Sequence, residues 1–339
     1  MKRNTKKALS GLMSASVLMS GAAAMAETTL GEYALTAEAV SKETTEKIAN
    51  VQGAFSFRQD VLSPSEDVFN LYGTAVTGMC AKPAFAFEAG SEEAGDYYIN
   101  VSGNMQLSKK VTLSELKSKT RTKVLACSCA TGPAVVQAQV SGIPLSSILE
   151  LAELPLQTAN TLTVTGSDGY SVSMPLRYAL DREAMIVYQV NGEQLAQNQR
   201  TQLWMPGAVA KYFARDVVEI EVSRQDAEPQ VLRADAEQRA KVSIVNKADA
   251  ARIRKGETVV FEGYADDCES AVAAVEFSMD GGETWTSCAT ENATADRWVY
   301  WTFAVAPEKA GNYDMFVRAR TADGTVSPLA STMRFAVAE

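Results

Sequence analysis

Leu203-Trp204-Met205-Pro206-Gly207-Ala208-Val209-Ala210-Lys211-Tyr212-Phe213-Ala214-Arg215-Asp216-Val217-Val218-Glu219-Ile220-Glu221-Val222 is the stretch on which the fold turns. It opens on a Pro-Gly turn, which breaks any regular element. Two cations follow, four residues apart, at Lys211 and Arg215. The run Val217 to Val222 then alternates and reads as a strand. Upstream, Thr122 to Cys127 reads as an apolar strand that ends at a cysteine. Ile143-Pro144-Leu145-Ser146-Ser147-Ile148-Leu149 opens a short helix. Thr161 to Val164 is a strand leading into Ser167-Asp168-Gly169-Tyr170, and Ile186 to Gly192 is a strand with a turn. Tyr97 to Val101 is another strand, and Thr112 to Leu116 looks like a short capped helix. Strands mixed with short helices define an α+β domain.

Downstream the texture changes. Gln225 to Arg239 is charged and is taken as a linker. Short strand signals then recur at Thr258–Gly263, Val272–Met279, Trp298–Val305, Tyr313–Thr321 and Met333–Val337. Turns at Asp280-Gly281-Gly282, Lys309-Ala310-Gly311 and Asp323-Gly324 separate them. That spacing predicts an immunoglobulin-like sandwich.

The N-terminus reads as an export signal. Lys2, Arg3, Lys6 and Lys7 form a positive start, Ala8 to Ala24 is apolar and small, and Ala24-Met25-Ala26 fits a cleavage site before Glu27. Residues 1–26 hold four cations and no acid. Their removal leaves 28 Lys and Arg against 41 Asp and Glu, a net charge of −13. Such a chain is repelled by nucleic acid and by anionic membranes. An extracytoplasmic location is expected, with no membrane span after cleavage. About 310 residues remain, enough for two domains. The divisions expected are a signal peptide at 1–26, an N-terminal extension or part of the catalytic domain at 27–94, the α+β domain at 95–224, a linker at 225–240 and the sandwich at 241–339.

The sequence has no histidine. His-dependent triads, His-ligated haem and most zinc sites are therefore excluded. Cysteine occurs five times, at Cys80, Cys127, Cys129, Cys268 and Cys288. Cys268 and Cys288 either pair, as oxidation outside the cytoplasm favours, or remain two separate buried thiols. An odd count leaves at least one sulfur outside any intramolecular pair.

The order of these segments carries a resemblance. Gly142-Ile-Pro-Leu-Ser-Ser-Ile-Leu-Glu150, Ser167-Asp-Gly-Tyr-Ser-Val-Ser-Met-Pro-Leu176, Met185-Ile-Val-Tyr-Gln-Val-Asn-Gly-Glu-Gln-Leu195 and Leu203 to Val222 together resemble the molybdopterin domain of the sulfite oxidase family. Val275 to Trp285 and Val317 to Gly324 resemble the sandwich that follows it there. The resemblance spans about residues 95–338. It implies a sulfite-oxidase-like molybdopterin domain followed by an all-β immunoglobulin-like sandwich of the dimerisation type.

The resemblance also implies a molybdenum–molybdopterin cofactor, ligated by a cysteine thiolate at a strand end. A soft thiolate suits such a metal. Cys127 ends the strand and is the first candidate; Cys129 is the second. Lys211 and Arg215 match basic positions suited to the pterin phosphate, and Asp168 and Gly169 lie in the matching turn. Tyr170 and Tyr188 both match motif positions, and either fits the family's active-site tyrosine. The implied activity is two-electron redox or oxygen-atom transfer on a small molecule. With no haem expected, electrons would pass to a separate partner, and the sandwich implies a homodimer.

Four departures narrow that expectation. The histidine that often contacts the cofactor in that family is absent here. Ser128-Cys129-Ala130-Thr131 replaces the family's Gly-Asn after the ligand cysteine. No arginine lies between Arg121 and Arg177, so sulfite is not the expected substrate and a neutral or cationic organic molecule is favoured. The signal carries Lys2-Arg3 rather than the twin arginines of folded export.

Other functions compete with this one. The first is a cofactor-free binding or structural protein on the same scaffold. Ser278-Met279-Asp280-Gly281-Gly282-Glu283-Thr284-Trp285 fits an Asp-box hairpin of glycan-acting propellers, but a propeller needs several copies and one is found; a braced hairpin is the preferred reading. Thiol exchange at Cys127 and Cys129 is the last alternative.

Overall fold

The computed structural model describes residues 45–65, 68, 97–103, 106–133, 135–153, 158–195, 201–246 and 253–339. The expected export signal, Cys80 and most of the segment before residue 97 lie outside the described residues. Four sheets form from Lys42 to Glu339 within one compact unit.

The first pair of sheets builds the α+β domain. One contains β4 (Arg121–Ser128), β5 (Val135–Pro144), β8 (Met185–Val190) and β10 (Gln202–Trp204), with β9 (Glu193–Gln194) paired to β8. The other contains β2 (Tyr98–Gly103), β3 (Gln106–Thr112), β6 (Thr161–Gly166), β7 (Ser171–Pro175) and β11 (Val217–Ser223), in the order β3-β2-β11-β6-β7. The alternating run Val217 to Val222 is thus β11, central to its sheet, parallel to β2 and antiparallel to β6. The expected helix near Thr112 is a 3-10 helix at Ser114–Lys119, and Glu115 accepts from both the amide and the hydroxyl of Thr112.

Helix α1 (Leu145–Ala152) buries Leu145, Ile148, Leu149 and Ala152, the i, i+3, i+4, i+7 stripe of an amphipathic helix. Each buried Leu or Ile there contributes about 2 kcal/mol. The helix stops at Glu153, which takes a left-handed conformation at φ 57°. Helix α2 (Leu176–Asp181) buries Leu176 and Ala179. Before α1, Gly142 sits at a bulge where β5 crosses β8. A Cβ there would come within 2.4 Å of the Ile186 carbonyl oxygen, so only glycine fits the approach.

The second pair of sheets forms the sandwich. Its strands are β12 (Lys241–Ile244), β13 (Ile253–Arg254), β14 (Val259–Asp266), β15 (Val272–Ser278), β16 (Thr286–Ala289), β17 (Val299–Val305), β18 (Gly311–Thr321) and β19 (Ser331–Ala338). β13-β19-β18-β15-β16 make one sheet. The other runs β1-β17-β14-β12, and β1 is Ala54–Arg58, from the N-terminal stretch that the sequence leaves as an extension. Between the sheets, Phe277 stacks on Phe303 at 4.0 Å and meets Trp301 edge-on at 5.3 Å. The Asp-box motif is a braced hairpin: Asp280 accepts from the Thr284 amide, the Thr284 hydroxyl and the Ser278 hydroxyl.

The two sheet pairs meet along β4 and β5. Gln137 of β5 is fully buried; it donates to the carbonyls of Gln59 and Val61 and accepts from the Trp298 amide. The Ala126 amide of β4 donates to the Asp296 carbonyl. These bonds satisfy main-chain groups that burial would otherwise strand.

Candidate functional site

The chain brings its two central cysteines to the end of β4, beside the sandwich. Strand alternation puts Leu125 and Cys127 on one face, and both belong to the α+β core. Ser128 faces the other way. Its hydroxyl accepts from Lys241 Nζ of the sandwich at 3.0 Å. Cys129 lies just past the strand; its carbonyl accepts from the same ammonium at 2.9 Å, and its sulfur is 3.8 Å from Thr131 Oγ1. Cys127 is 1% and Cys129 2% exposed.

The Ser128 main chain bridges to Val209. Two residues after Val209 stands Lys211, in a 3-10 turn at Ala210–Tyr212. The hairpin between β6 and β7 grips this segment. Asp168 Oδ1 accepts from the Tyr170 amide, and Gly169 supplies φ +80° for the turn. The Tyr170 hydroxyl donates to the Lys211 carbonyl at 2.5 Å. The Ser167 hydroxyl donates to Asp216 at 2.6 Å. Arg215 is buried beside this hairpin, its carbonyl oxygen 2.3 Å from where a Cβ on Gly166 would stand.

The Asp168-Gly169-Tyr170 hairpin thus lies against the main chain of the Lys211–Asp216 segment, and the Ser128–Val209 bridge joins the chain just before that segment to the end of β4. Tyr188 does not join them. Its hydroxyl bonds Thr120 Oγ1 at 2.8 Å, just before β4 begins. Seven residues of extended strand, about 23 Å, separate that point from Cys127. Of the two tyrosines, only Tyr170 bonds the Lys211 turn that follows Val209.

The structure adds Tyr178, Arg182 and Arg233, which the sequence did not single out. A cavity of about 300 Å³ opens beside Val209, lined also by Tyr178, Arg182, Gly207, Arg233 and Cys268. Arg182 Nη1 donates to the Pro206 and Gly207 carbonyls, and its guanidinium lies 4.8 Å from the Tyr178 ring centre. Burial, with the Asp266 charge adding to it, pushes the Cys268 thiol up to about 11. Burial raises the Cys288 thiol as well. No disulfide joins them, so of the two readings open in the sequence the structure takes separate thiols. Both are poor nucleophiles in that state. Nothing in the sequence marks Lys241, Asp266 or Cys268 as neighbours of Ser128, because the approach is made in space by strands more than a hundred residues away.

Comparison with known proteins now places this arrangement. Residues 87–231 match the family model described as the oxidoreductase molybdopterin binding domain. Residues 87–231 are thus similar to molybdopterin-binding oxidoreductase domains, a likeness that supports molybdopterin-dependent redox chemistry. Among solved structures, the chain is similar to the sulfane dehydrogenase SoxCD of Paracoccus pantotrophus. The two are 20% identical, the match covers 70% of each chain, and the TM-score is 0.58, a likeness of fold. It also matches the PKD domain of an M14-like peptidase from a Thermoplasmatales archaeon, at 14% identity over 29% of this chain and 96% of that one. Fibronectin(III)-like modules of CbhA from Clostridium thermocellum match at 11% identity over 64% and 94%. Their TM-scores of 0.23 and 0.22 are too low to carry an argument. No curated protein matches the chain.

The residues present suit such a cofactor. The pterin dithiolene brings its own sulfurs, so the protein needs to offer a thiolate rather than a cage. Among the described residues no group of three Cys, Asp or Glu side chains forms a metal cage. A thiol at the end of β4, with Lys211 and Arg215 close by in the chain's path, matches a soft metal with an anionic tail.

Proposed function

We propose that the protein is an exported molybdopterin oxidoreductase of the sulfite oxidase type that acts on a small organic substrate other than sulfite. The observation that carries this is the bridge of Ser128 to Val209, which sets the cysteine end of β4 next to the Lys211 turn. When bound, the molybdenum–pterin group supplies two-electron exchange at the metal. Cys127 would give the thiolate. Lys211 and Arg215 would hold the phosphate tail, the first as a point charge and the second as a planar donor fork. Tyr170, already tied to the Lys211 carbonyl, keeps the cation turn in register with the Asp168-Gly169 hairpin.

The lack of arginine between Arg121 and Arg177 supports a substrate that is not a small oxyanion. Electrons would leave to a separate partner. The N-terminal pattern supports action outside the cytoplasm, and the sandwich supports a homodimer.

A cofactor-free binding protein on the same scaffold is the second reading, favoured by the altered Ser128–Thr131 loop. Metal mass spectrometry on protein from its native host separates the two. About one molybdenum per chain supports the oxidoreductase, and none removes it.

A further inference from the structure

Lys241 begins β12 in the sandwich, yet its ammonium is spent on the other domain. It donates to the Ser128 hydroxyl at 3.0 Å and to the Cys129 carbonyl at 2.9 Å. The residue is only 7% exposed. An ammonium so buried needs a counter-charge. Asp266 supplies it, as the direct cross-strand partner of Lys241 in the β12–β14 ladder and itself 2% exposed. The Ser128 hydroxyl also favours the charged form of Asp266. Oδ2 of Asp266 makes no hydrogen bond among the described residues.

Buried opposite charges on neighbouring strands add little net stability over well-packed apolar groups. They do fix geometry, because the ammonium has three donors and must place them. Here two of those donors land on consecutive residues of the loop that follows Cys127. The β4–β5 ladder holds Cys127 and Ser128, opposite Val136 and Val135, but ends there. Beyond Ser128 the chain has no ladder partner in β5; the Asp235 amide holds the Ala130 carbonyl, and Lys241 holds the Ser128 hydroxyl and the Cys129 carbonyl between them.

We infer that Lys241 is a positioning residue for the cysteine loop: the sandwich fixes the Ser128–Cys129 peptide and thereby the presentation of the Cys127 thiol. The inference rests on Cys127 as the metal ligand. It gives the sandwich a part in the site besides any role in association.

The test is hydrogen exchange on the full, metal-free chain, with amides 127–132 followed by mass spectrometry. The variants are Lys241→Met, Lys241→Arg and the double Lys241→Met/Asp266→Leu. The double removes both charges, so no lone buried carboxylate threatens the fold. Amides 127–132 are expected to exchange at least tenfold faster in Lys241→Met and in the double, with 136–143 unchanged. Lys241→Arg should recover much of the protection. Wild-type protection at 127–132 in the folded double variant overturns the inference. In protein from the native host, the Mo(V) resonance should shift in Lys241→Met and return towards wild type in Lys241→Arg; an unmoved resonance also counts against it. Absence of molybdenum from the wild type would overturn the ligand reading, while the exchange result would still decide the clamp.

Discussion

The phenolic hydroxyl of Tyr170 donates to the main-chain oxygen of Lys211 at 2.5 Å, across 41 residues of sequence. It joins the Asp168-Gly169 hairpin to the cation turn, so Tyr170 acts on Lys211 through the backbone. Tyr170→Phe should lower stability by about 1 kcal/mol, the usual loss for one hydrogen bond. For a chain of this size that is about 2 °C in Tm. Calorimetry checks the first figure. Molybdenum content in the same variant should stay near wild type, since the ring still packs in place; a complete loss would show that the bond itself holds the phosphate turn.

Cys127 and Cys129 differ in what surrounds them. Cys127 belongs to the α+β core at the end of β4, whereas Cys129 lies past the strand with its carbonyl held by Lys241. Cys127→Ala should abolish molybdenum binding, and Cys129→Ala should leave most of it. Elemental analysis of both variants from the native host decides between them. The reverse pattern would make Cys129 the ligand.

Asp266 gives a pH signature. Burial raises its pKa from 3.8 to about 6, against the pull of Lys241 and Ser128; Asp267 and Cys268 also face it. An acid raised in this way binds its proton more tightly in the fold than in the unfolded chain. Between about pH 4 and 6 the folded protein therefore holds more protons, and stability falls as pH rises through that window. The gap corresponds to at most about 3 kcal/mol. Asp266→Asn cannot titrate, so stability of wild type minus variant should fall between pH 4 and 7. Asp280, held down to about 2 by its hairpin bonds, has the opposite sign and acts at lower pH. Denaturant titrations at four pH values test this, and a flat difference would contradict it.

Gly142 tests the fold at the entrance to α1. Gly142→Ala would drive a methyl to 2.4 Å from the Ile186 oxygen and 2.6 Å from Val187 Cα. Both contacts are backbone, which cannot swing aside. A cost of about 2–4 kcal/mol is expected, within the range of overpacking and strain. Urea unfolding measures it, and a neutral result would mean that β5 and β8 can separate at the bulge.

Much of this architecture is legible in the residues, and the reasons are local. Alternation in Val217–Val222 and Val299–Val305 marks strands buried on one face or between sheets. The apolar run to Cys127 marks a strand end, and the spacing of Leu145, Ile148 and Leu149 marks α1. The turn at Asp168-Gly169 is also legible, because Asp followed by Gly is a turn signal, and Asp168 Oδ1 accepts from the Tyr170 amide there. Tyr188 shows the limit. It matches a motif equally well, but β8 delivers its hydroxyl to Thr120 rather than to the cysteine end. Position along a strand, more than residue type, separates the two tyrosines. Lys241, Asp266 and Arg182 escape a sequence reading for a different reason. A lone Lys, Asp or Arg has no period, and only the docking of two domains shows what it touches. Phe55 and Phe57 do alternate, yet nothing local indicates that their partner lies at the far end of the chain.

That last pairing shapes how the molecule must be made. Ala54 of β1 lies opposite Ala304 of β17, 250 positions further along. Synthesis releases β1 early and β17 late, so an early segment must wait, unpartnered, while some 250 residues follow. Closing so long a loop adds little entropy beyond a moderate one, but it comes slowly. The α+β sheets can assemble meanwhile, because their strands lie between the two. The finished protein is thus sealed by its own beginning, and a newly made chain truncated before residue 299 would leave β1 as a bare edge open to other chains.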